Sequence, residues 1–210
     1  MTLTNLFQPE HFRRLDEGDD AEFYEVPRLV VHIDDAAIAA ARALYAEALP
    51  ERGRLLDLMS SWRSHLPEWK ARGEVVGLGM NAEEMARNPQ VDRFAVHDLN
   101  RTPDLPFENG HFDAAVCTVS VQYLTSPVAV FREVGRTLQP GAPFVVTFSN
   151  RCFPTKAVAL WRAGTDRQHL DLVSAYFALA GGWRDITAAD YSAGPDVDPL
   201  FAVWGFKEGE

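Results

Sequence analysis

Cysteine, basic charge and long apolar runs are all scarce in this 210-residue sequence. The two cysteines, Cys117 and Cys152, are isolated and show neither a disulfide framework nor metal-ligand spacing. Twenty basic against thirty acidic residues give a formal charge of −10, which argues against nucleic acid or an anionic membrane as the main partner. No stretch approaches the ~20 apolar residues of a membrane span, and no signal region begins the chain. We therefore expect a metal-free protein of the reducing cytoplasm.

Short apolar segments are what the sequence does contain, and they alternate with helical patterns. Strands are predicted at 55–59, 74–79, 94–98, 113–120, 143–148, 183–191 and 199–206. Helices are predicted at 36–49, after Asn81, at 127–138 and at 166–180. Strands separated by helices predict an α/β fold with a doubly wound, mostly parallel seven-stranded sheet. The last two strands, joined by a turn-rich segment, predict a C-terminal antiparallel hairpin.

The length of the chain suits one α/β domain over residues 1–210. Residues 1–50 are predicted to form an N-terminal flap and helix, and residues 51–210 the core. The first 33 residues begin polar and acidic and become aromatic and apolar from Phe23 to Ile33. This change predicts that the flap docks onto the domain through its apolar part.

The segment from Asp98 to Asn150 carries four motifs in order. An acid, Asp98, ends the third predicted strand, and a Leu-Pro-Phe loop follows at 105–107. Phe112 and Asp113 open the fourth strand, and Leu-Gln-Pro-Gly at 138–141 precedes the fifth. In this order and spacing the segment resembles the class I S-adenosylmethionine-dependent methyltransferases of the type 11 branch, and the likeness extends from about 54 to 207. It implies a Rossmann-like fold, S-adenosylmethionine as cofactor and methyl transfer to a small soluble acceptor.

The first loop departs from the resembled family, in which the first strand enters an Asp-x-Gly-x-Gly-x-Gly loop. Here residues 57–63 read Asp-Leu-Met-Ser-Ser-Trp-Arg, so the acid is present and every glycine is missing. The family's ribose-binding acid, at the end of the second strand, falls on Gly79. If the ribose pocket is otherwise formed, Gly79→Asp is expected to tighten cofactor binding.

Two interpretations of these departures remain open. In one, Ser60 and Ser61 bind the cofactor carboxylate, and Asn81, Glu83 or Glu84 binds the ribose. In the other, Met59 and Trp62 plug the former cleft, and the protein binds no cofactor and acts by interaction.

The resemblance, together with the rule that ligands bind outside the carboxyl ends of parallel strands, gives the candidate site. Asp98 is expected at the adenine amino group. The predicted cofactor-binding residues are Asp57, Met59, Ser60, Ser61, Gly79, Met80, Asn81, Asp98, Leu99 and Ser120. The predicted substrate-binding residues are Tyr24, Arg28, Gln122, Tyr123, Asn150 and Arg151.

No fixed catalytic motif is required, because the leaving group of a sulfonium is already activated. Positioning alone can lower the barrier by ~7–11 kcal/mol. A hydroxyl or thiol acceptor would still use a base, for which His32, His65 and His97 are candidates. Arg28 or Arg151 could hold a carboxylate or phosphate, or could form a salt bridge within an acidic protein.

A competing motif predicts a different cofactor. Residues 77–82 read Gly-Leu-Gly-Met-Asn-Ala after a strand, and Asp98 follows about 20 residues on, as in an NAD(P)-binding fingerprint. That fingerprint normally opens its sheet, whereas here a full strand and helix precede it. The chain also leaves no room for a separate substrate domain.

Overall fold

A computed structural model describes residues 7–68 and 73–209 of the chain. These residues form a seven-stranded sheet of order β3-β2-β1-β4-β5-β7-β6. The strands are β1 (Leu55–Leu58), β2 (Val75–Gly79), β3 (Arg93–Val96), β4 (Ala114–Thr118), β5 (Pro143–Phe148), β6 (Trp183–Asp190) and β7 (Phe201–Lys207). Strands β1 to β5 are parallel, and β7 pairs antiparallel with both β5 and β6. The predicted parallel sheet and closing hairpin are confirmed.

Of the six α-helices in the described residues, four begin at a side chain that caps the helix. They are α1 (Asp20–Phe23), α2 (Asp35–Ala48), α3 (Ala82–Ala86), α4 (Pro127–Thr137), α5 (Ala159–Ala163) and α6 (Asp166–Ala180). Asp34 accepts from the N–H of Ala37 at 2.9 Å before α2, and Thr165 forms a capping box with Gln168 before α6. Ser126 precedes α4, but its hydroxyl forms no cap hydrogen bond, so Pro127 marks this start. The short helices α1 and α5 were not predicted, because one turn shows no periodicity.

The two faces of the sheet are covered differently. Helices α4 and α6 bury an aromatic cluster against one face, where Phe131 meets Phe177 edge-to-face with ring centroids 4.8 Å apart. Helix α2 covers the other face. Its Tyr45 hydroxyl lies 2.6 Å from Oγ1 of Thr118 in β4 and 3.0 Å from Oγ1 of Thr147 in β5. The helix that precedes β1 is thus tied to the centre of the sheet.

The crossover from β1 to β2 contains no helix within its described residues, 59–68 and 73–74. Parallel strands are usually joined through a helix. Here an irregular segment returns to the sheet edge and buries Leu66 in the core cluster beneath α2. Without a helix in these residues, the loop after β1 is held in shape by hydrogen bonds among its own side chains.

Residues 13–33, called the flap from here on, lie across the carboxyl ends of the strands. The sequence predicts that the flap docks through its apolar part, from Phe23 to Ile33. Phe23 lies edge-to-face against Phe153 with ring centroids 5.5 Å apart, and Ile33 is buried, but Val30 and Val31 are 56% and 46% exposed. The two ends of the apolar part therefore help to seat the flap, whereas Val30 and Val31 do not.

Ion pairs also dock the flap. The buried Asp20 accepts hydrogen bonds from Arg14 at 2.7 Å and from Asn100 at 2.9 Å. The equally buried Lys156 places its Nζ 3.1 Å from Asp20 and 3.0 Å from Asp16. These contacts join the flap to the loops after β3 and β5.

Candidate active site

A cavity of about 290 Å³ lies between the flap and the carboxyl ends of the parallel strands. Of the predicted cofactor residues, those that line it are Met59, Ser60, Ser61, Gly79, Met80, Asn81, Asp98, Leu99 and Ser120. Of the predicted substrate residues, those that line it are Tyr24, Arg28, Tyr123 and Arg151. The structure thus brings most of the predicted positions to one cavity.

Three predicted positions lie outside the cavity lining. Asp57 is buried behind the first loop, and Asn150 is exposed at the end of β5. The buried Gln122 donates to the carbonyl of Val119 at 3.0 Å, so its amide supports the loop after β4. Successive side chains of a strand point to opposite faces of the sheet, so neighbouring residues at a strand end do not all face the cavity.

The first loop is closed on itself by hydrogen bonds. Oγ of Ser60 and Oγ of Ser64 each donate to Oδ2 of Asp57 at 2.6 Å. Burial raises the pKa of Asp57 to about 6, against the lowering effect of these two hydrogen bonds. Ser61 donates to Oε2 of Glu84 at 2.6 Å. The hydroxyl protons expected for the cofactor carboxylate are therefore engaged within the protein.

Two residues that border the cavity hold left-handed backbone conformations without being glycine. Met59, at the position of the family's first glycine, has φ of +58°. Val119, which follows β4, has φ of +51°. Such conformations cost non-glycine residues about 1–2 kcal/mol each and concentrate at functional sites. The backbone after β1 therefore makes the turn that glycine would favour, with a side chain present.

Gly79 has no room for the acid that the resembled family carries. A Cβ on this residue would lie 2.2 Å from the carbonyl oxygen of Ser60. The backbone of Gly79 is not left-handed, so space rather than φ requires glycine here. The expectation that Gly79→Asp would tighten cofactor binding is therefore wrong in this geometry.

Glu84 supplies a carboxylate close to that position. Oε1 accepts from the backbone N–H of Arg28 at 2.6 Å, Oε2 accepts from Ser61, and the residue lines the cavity. A carboxylate offers about four lone-pair sites, so Glu84 can accept further hydrogen bonds.

The other two candidate ribose ligands are occupied elsewhere. The amide nitrogen of Asn81 donates to the flap carbonyls of Tyr24 and Glu25, and its oxygen caps α3. Glu83 points away from the cavity and pairs with Arg87 at 2.5 Å.

The loop after β3 is held by Asp98, whose Oδ1 accepts from the N–H groups of Asn100 and Arg101 at 2.9 and 3.2 Å. Asn100 in turn donates to Asp20 and to the carbonyl of Tyr123. Sequence reasoning missed Asn100 and Asp20 as cavity residues. The strand-end rule could have found Asn100, whereas nothing in the acidic run at 16–20 distinguishes Asp20.

The three candidate bases are in different environments. His32 lines the cavity, and partial burial lowers its pKa. No hydrogen bond to His32 is found within residues 7–68 and 73–209. His97 also lines the cavity, but its Nε2 lies 2.7 Å from the carbonyl of Thr102. His65 lies outside this cavity, and burial lowers its pKa to about 4.

The two candidate arginines also differ. Nε of Arg151 pairs with Asp198 at 2.7 Å, as a salt bridge within an acidic protein would. Arg28 donates from Nη2 to the carbonyl of Phe23 at 2.7 Å. Its Nη1 is buried with no hydrogen-bond partner.

Two hypotheses do not match this geometry: that Met59 and Trp62 together fill the cleft, and that residues 77–82 form a dinucleotide-binding fingerprint. Trp62 does not line the 290 Å³ cavity, and its Nε1 donates to the flap carbonyl of Val30 at 2.8 Å. Gly77 and Gly79 lie inside β2 rather than in the turn before α3, where a fingerprint would need them to approach a pyrophosphate.

Among residues 7–68 and 73–209, no group of three or more His, Cys, Asp or Glu side chains is arranged to hold a metal ion. Within the same part of the chain, no helix is both long and apolar enough to cross a bilayer.

Comparison with known proteins matches part of the chain to one family. A family described as a methyltransferase domain matches residues 60–146, which run from the first loop to β5. No curated protein sequence matches the chain significantly.

Solved structures share the fold at low sequence identity. An S-adenosylmethionine-dependent methyltransferase from Mesorhizobium loti is 17% identical over 80% of this chain and 98% of its own, with a TM-score of 0.55. The methyltransferase partner of the Haloferax volcanii Trm112 activator is 17% identical over 83% and 92%, with a TM-score of 0.62. The [4+2]-cyclase SpnF is 17% identical over 81% of each chain, with a TM-score of 0.60. Residues 60–146 thus match a methyltransferase domain, and the whole described chain has the fold of S-adenosylmethionine-dependent methyltransferases.

Proposed function

We propose that the protein binds S-adenosylmethionine in the 290 Å³ cavity and transfers its methyl group to a small-molecule acceptor, in the cytoplasm. The observation that supports this most is the convergence of the loops after β1, β2, β3 and β4 on one cavity. Ligands of open parallel sheets bind at these carboxyl ends. The volume is close to the lower end of the ~300–1,000 Å³ typical of ligand pockets.

The residues present fit the cofactor despite the missing glycines. We assign the ribose to Glu84, whose carboxylate has acceptor capacity beside Gly79. The adenine is assigned to Asp98 and Leu99, which border the same cavity. The methionine part is assigned to the first loop, where the left-handed Met59 turns the backbone along the cavity.

Bound S-adenosylmethionine supplies a methyl group on a positively charged sulfur, and the sulfur keeps the electron pair of the broken carbon–sulfur bond. A lone pair of the acceptor forms the new bond to carbon. His32, whose pKa is lowered by partial burial and which has no hydrogen-bond partner in the described chain, takes the proton that a hydroxyl, thiol or amine acceptor loses. The flap excludes water, and the surrounding walls hold the acceptor in line.

Calorimetric titration with S-adenosylmethionine, S-adenosylhomocysteine and NADH in parallel tests the proposal. S-adenosylhomocysteine at ~100 times its dissociation constant adds ~2.7 kcal/mol to the free energy of unfolding. For a domain of this size, the melting temperature then rises by roughly 5–10 °C. An unchanged melting curve at millimolar ligand contradicts the proposal, and a rise with NADH alone would favour the dinucleotide fingerprint.

One observation favours a second candidate, a methyltransferase-like protein that binds no cofactor. The hydroxyls of Ser60 and Ser61 and the amide of Asn81 are hydrogen-bonded without any ligand. Function also varies on a common fold, and one structural neighbour is a cyclase. This candidate predicts no heat of binding with any of the three ligands.

A further inference from the structure

We infer that the acceptor is an aromatic carboxylic acid, whose carboxylate binds Arg28 and whose ring lies among the aromatic side chains at the β4–β5 side of the cavity. This inference rests on the proposed methyl transfer. It specifies the chemical class of the acceptor, which neither the family match nor the fold gives.

Arg28 is a cation of the cavity wall that lacks a countercharge. Its Nη1 is buried with no hydrogen-bond partner, and no salt bridge to this residue is found within residues 7–68 and 73–209. A buried charge is costly unless it is paired. The planar guanidinium fork matches a carboxylate, which accepts two parallel hydrogen bonds.

The acids that line the cavity do not supply this countercharge. Asp20 is bound by Arg14, Lys156 and Asn100. Oδ1 of Asp98 accepts two backbone N–H groups of its own turn. Glu84 receives the backbone N–H of Arg28, and no contact joins its carboxylate to the guanidinium within the described chain. The missing anion is therefore expected from a ligand.

The guanidinium lies on the acceptor side of the site. Its Cζ is 4.4 Å from the ring centroid of Phe23 and 5.4 Å from that of Phe153, which follows β5. Phe153 also stacks on Tyr123, which follows β4, with centroids 5.9 Å apart. The positions assigned to the cofactor follow β1, β2 and β3 instead. A carboxylate on Arg28 therefore belongs to the acceptor rather than to the methionine part of the cofactor.

The walls beside Arg28 favour a flat ring. Tyr24, Tyr123 and Phe153 line the cavity, and the imidazole of His32 meets Phe153 edge-on at 5.1 Å. Aromatic rings prefer offset-stacked and edge-to-face neighbours. His32 also places the proton acceptor close to the ring, where a hydroxyl or amine substituent would be methylated.

The test measures binding of a panel of hydroxy- and aminobenzoates against their matched benzamides, with and without saturating S-adenosylhomocysteine. In the wild-type protein at least one acid is expected to bind about tenfold or more tightly than its amide, which is the effect of a hydrogen bond to a charged group. In Arg28→Gln this preference is expected to disappear, and Arg28→Lys is expected to keep part of it because the charge remains. The matched control Arg167→Gln removes a surface arginine of α6 that is 84% exposed and is expected to change nothing.

The outcomes separate this inference from the proposed function. If no acid binds more tightly than its amide in the wild-type protein, the inference is overturned, whether or not S-adenosylhomocysteine binds. A loss of S-adenosylhomocysteine affinity in Arg28→Gln without any acid preference overturns it as well, because Arg28 would then hold the cofactor. Acid preference without S-adenosylhomocysteine binding supports the carboxylate site and contradicts methyl transfer. Melting curves of both Arg28 variants distinguish a lost contact from a displaced flap.

Discussion

The loops after β1 and β3 border the same cavity, yet they are built by different means. The loop after β3 keeps the acid of the family pattern, and Asp98 folds it through two backbone hydrogen bonds. The loop after β1 has none of the family's glycines at 59–63 and is held by serine hydroxyls on a buried carboxylate, with Met59 in the left-handed region. The comparison shows that serine hydroxyls on a buried carboxylate can hold a left-handed turn that glycine would otherwise favour.

Gly79 ends β2, between the loops after β1 and β3. We expect Gly79→Asp to disturb the packing of the first of these loops. The new Cβ would meet the carbonyl of Ser60 at 2.2 Å, and a charge would be buried beside the first loop. Overpacking alone costs about 1–3 kcal/mol, and the buried carboxylate adds to it, so we expect a loss of about 3 kcal/mol or more. Urea denaturation measures the loss.

Gly209→Asp is the matched control, because a Cβ there meets nothing within 4 Å. It is expected to change the free energy of unfolding by less than about 0.5 kcal/mol. Equal stability of the two variants would show that the first loop does not lie against Gly79.

Asp57 makes the first loop sensitive to pH. Its pKa is about 6 in the folded protein and near 3.8 when exposed, so the folded state binds more protons between these values. Stability is therefore higher below pH 3.8 and falls as the pH rises toward 6. At ~1.36 kcal/mol per pKa unit, the loss at neutral pH is about 3 kcal/mol.

Asp57→Asn removes this titration, while its amide oxygen can still accept from Ser60 and Ser64. Relative to the wild type, the variant should gain stability between pH 4 and pH 7 by nearly this amount in denaturant titrations. Asp171→Asn, on the surface of α6, is the control and should follow the wild type. Parallel pH profiles of wild type and Asp57→Asn would contradict the burial of a charged carboxylate.

Glu84 is proposed to supply the ribose-binding carboxylate that the resembled family has at the position of Gly79. Glu84→Gln therefore tests whether the two loops bind one cofactor. The substitution keeps the shape that holds the flap but removes the negative charge. We expect S-adenosylhomocysteine to bind more weakly by about 1.5–3 kcal/mol, as for a lost hydrogen bond to a charged group. Calorimetry gives the affinity.

Glu83→Gln changes the neighbouring residue, which pairs with Arg87 outside the cavity, and should bind as the wild type does. If both variants bind equally well, the ribose lies elsewhere.

Met59→Gly restores the first glycine of the family pattern and has the smallest expected effect. Relief of the left-handed backbone stabilises the fold by about 1 kcal/mol, and the lost packing of a half-buried side chain offsets part of this. Melting temperature should therefore change little, while the cavity gains volume and cofactor affinity does not fall. A large destabilisation would show that packing of the Met59 side chain contributes more to stability than the left-handed backbone costs.

The sequence predicted the elements of this fold better than the contacts between them. Strand β5 and helix α6 have the predicted bounds, because apolar runs, caps and Gly181 act locally. The salt bridge between Asp20 and Lys156 joins residues far apart in the chain, and no local pattern signals it. No local pattern signals the lack of room for a side chain at Gly79 either, because it depends on the position of Ser60 in the loop after β1. Positions in the site followed from strand ends, whereas the partners of each side chain did not.

The flap covers the cavity with a segment of the chain itself. Its ion pairs around Asp20 and its hydrogen bonds to Asn81 and Glu84 hold this segment over the volume proposed for the cofactor. If these contacts open to admit the cofactor and close again over both ligands, product departure requires a second opening. We would then expect the first methyl transfer of each molecule to be faster than those that follow, because flap opening limits turnover.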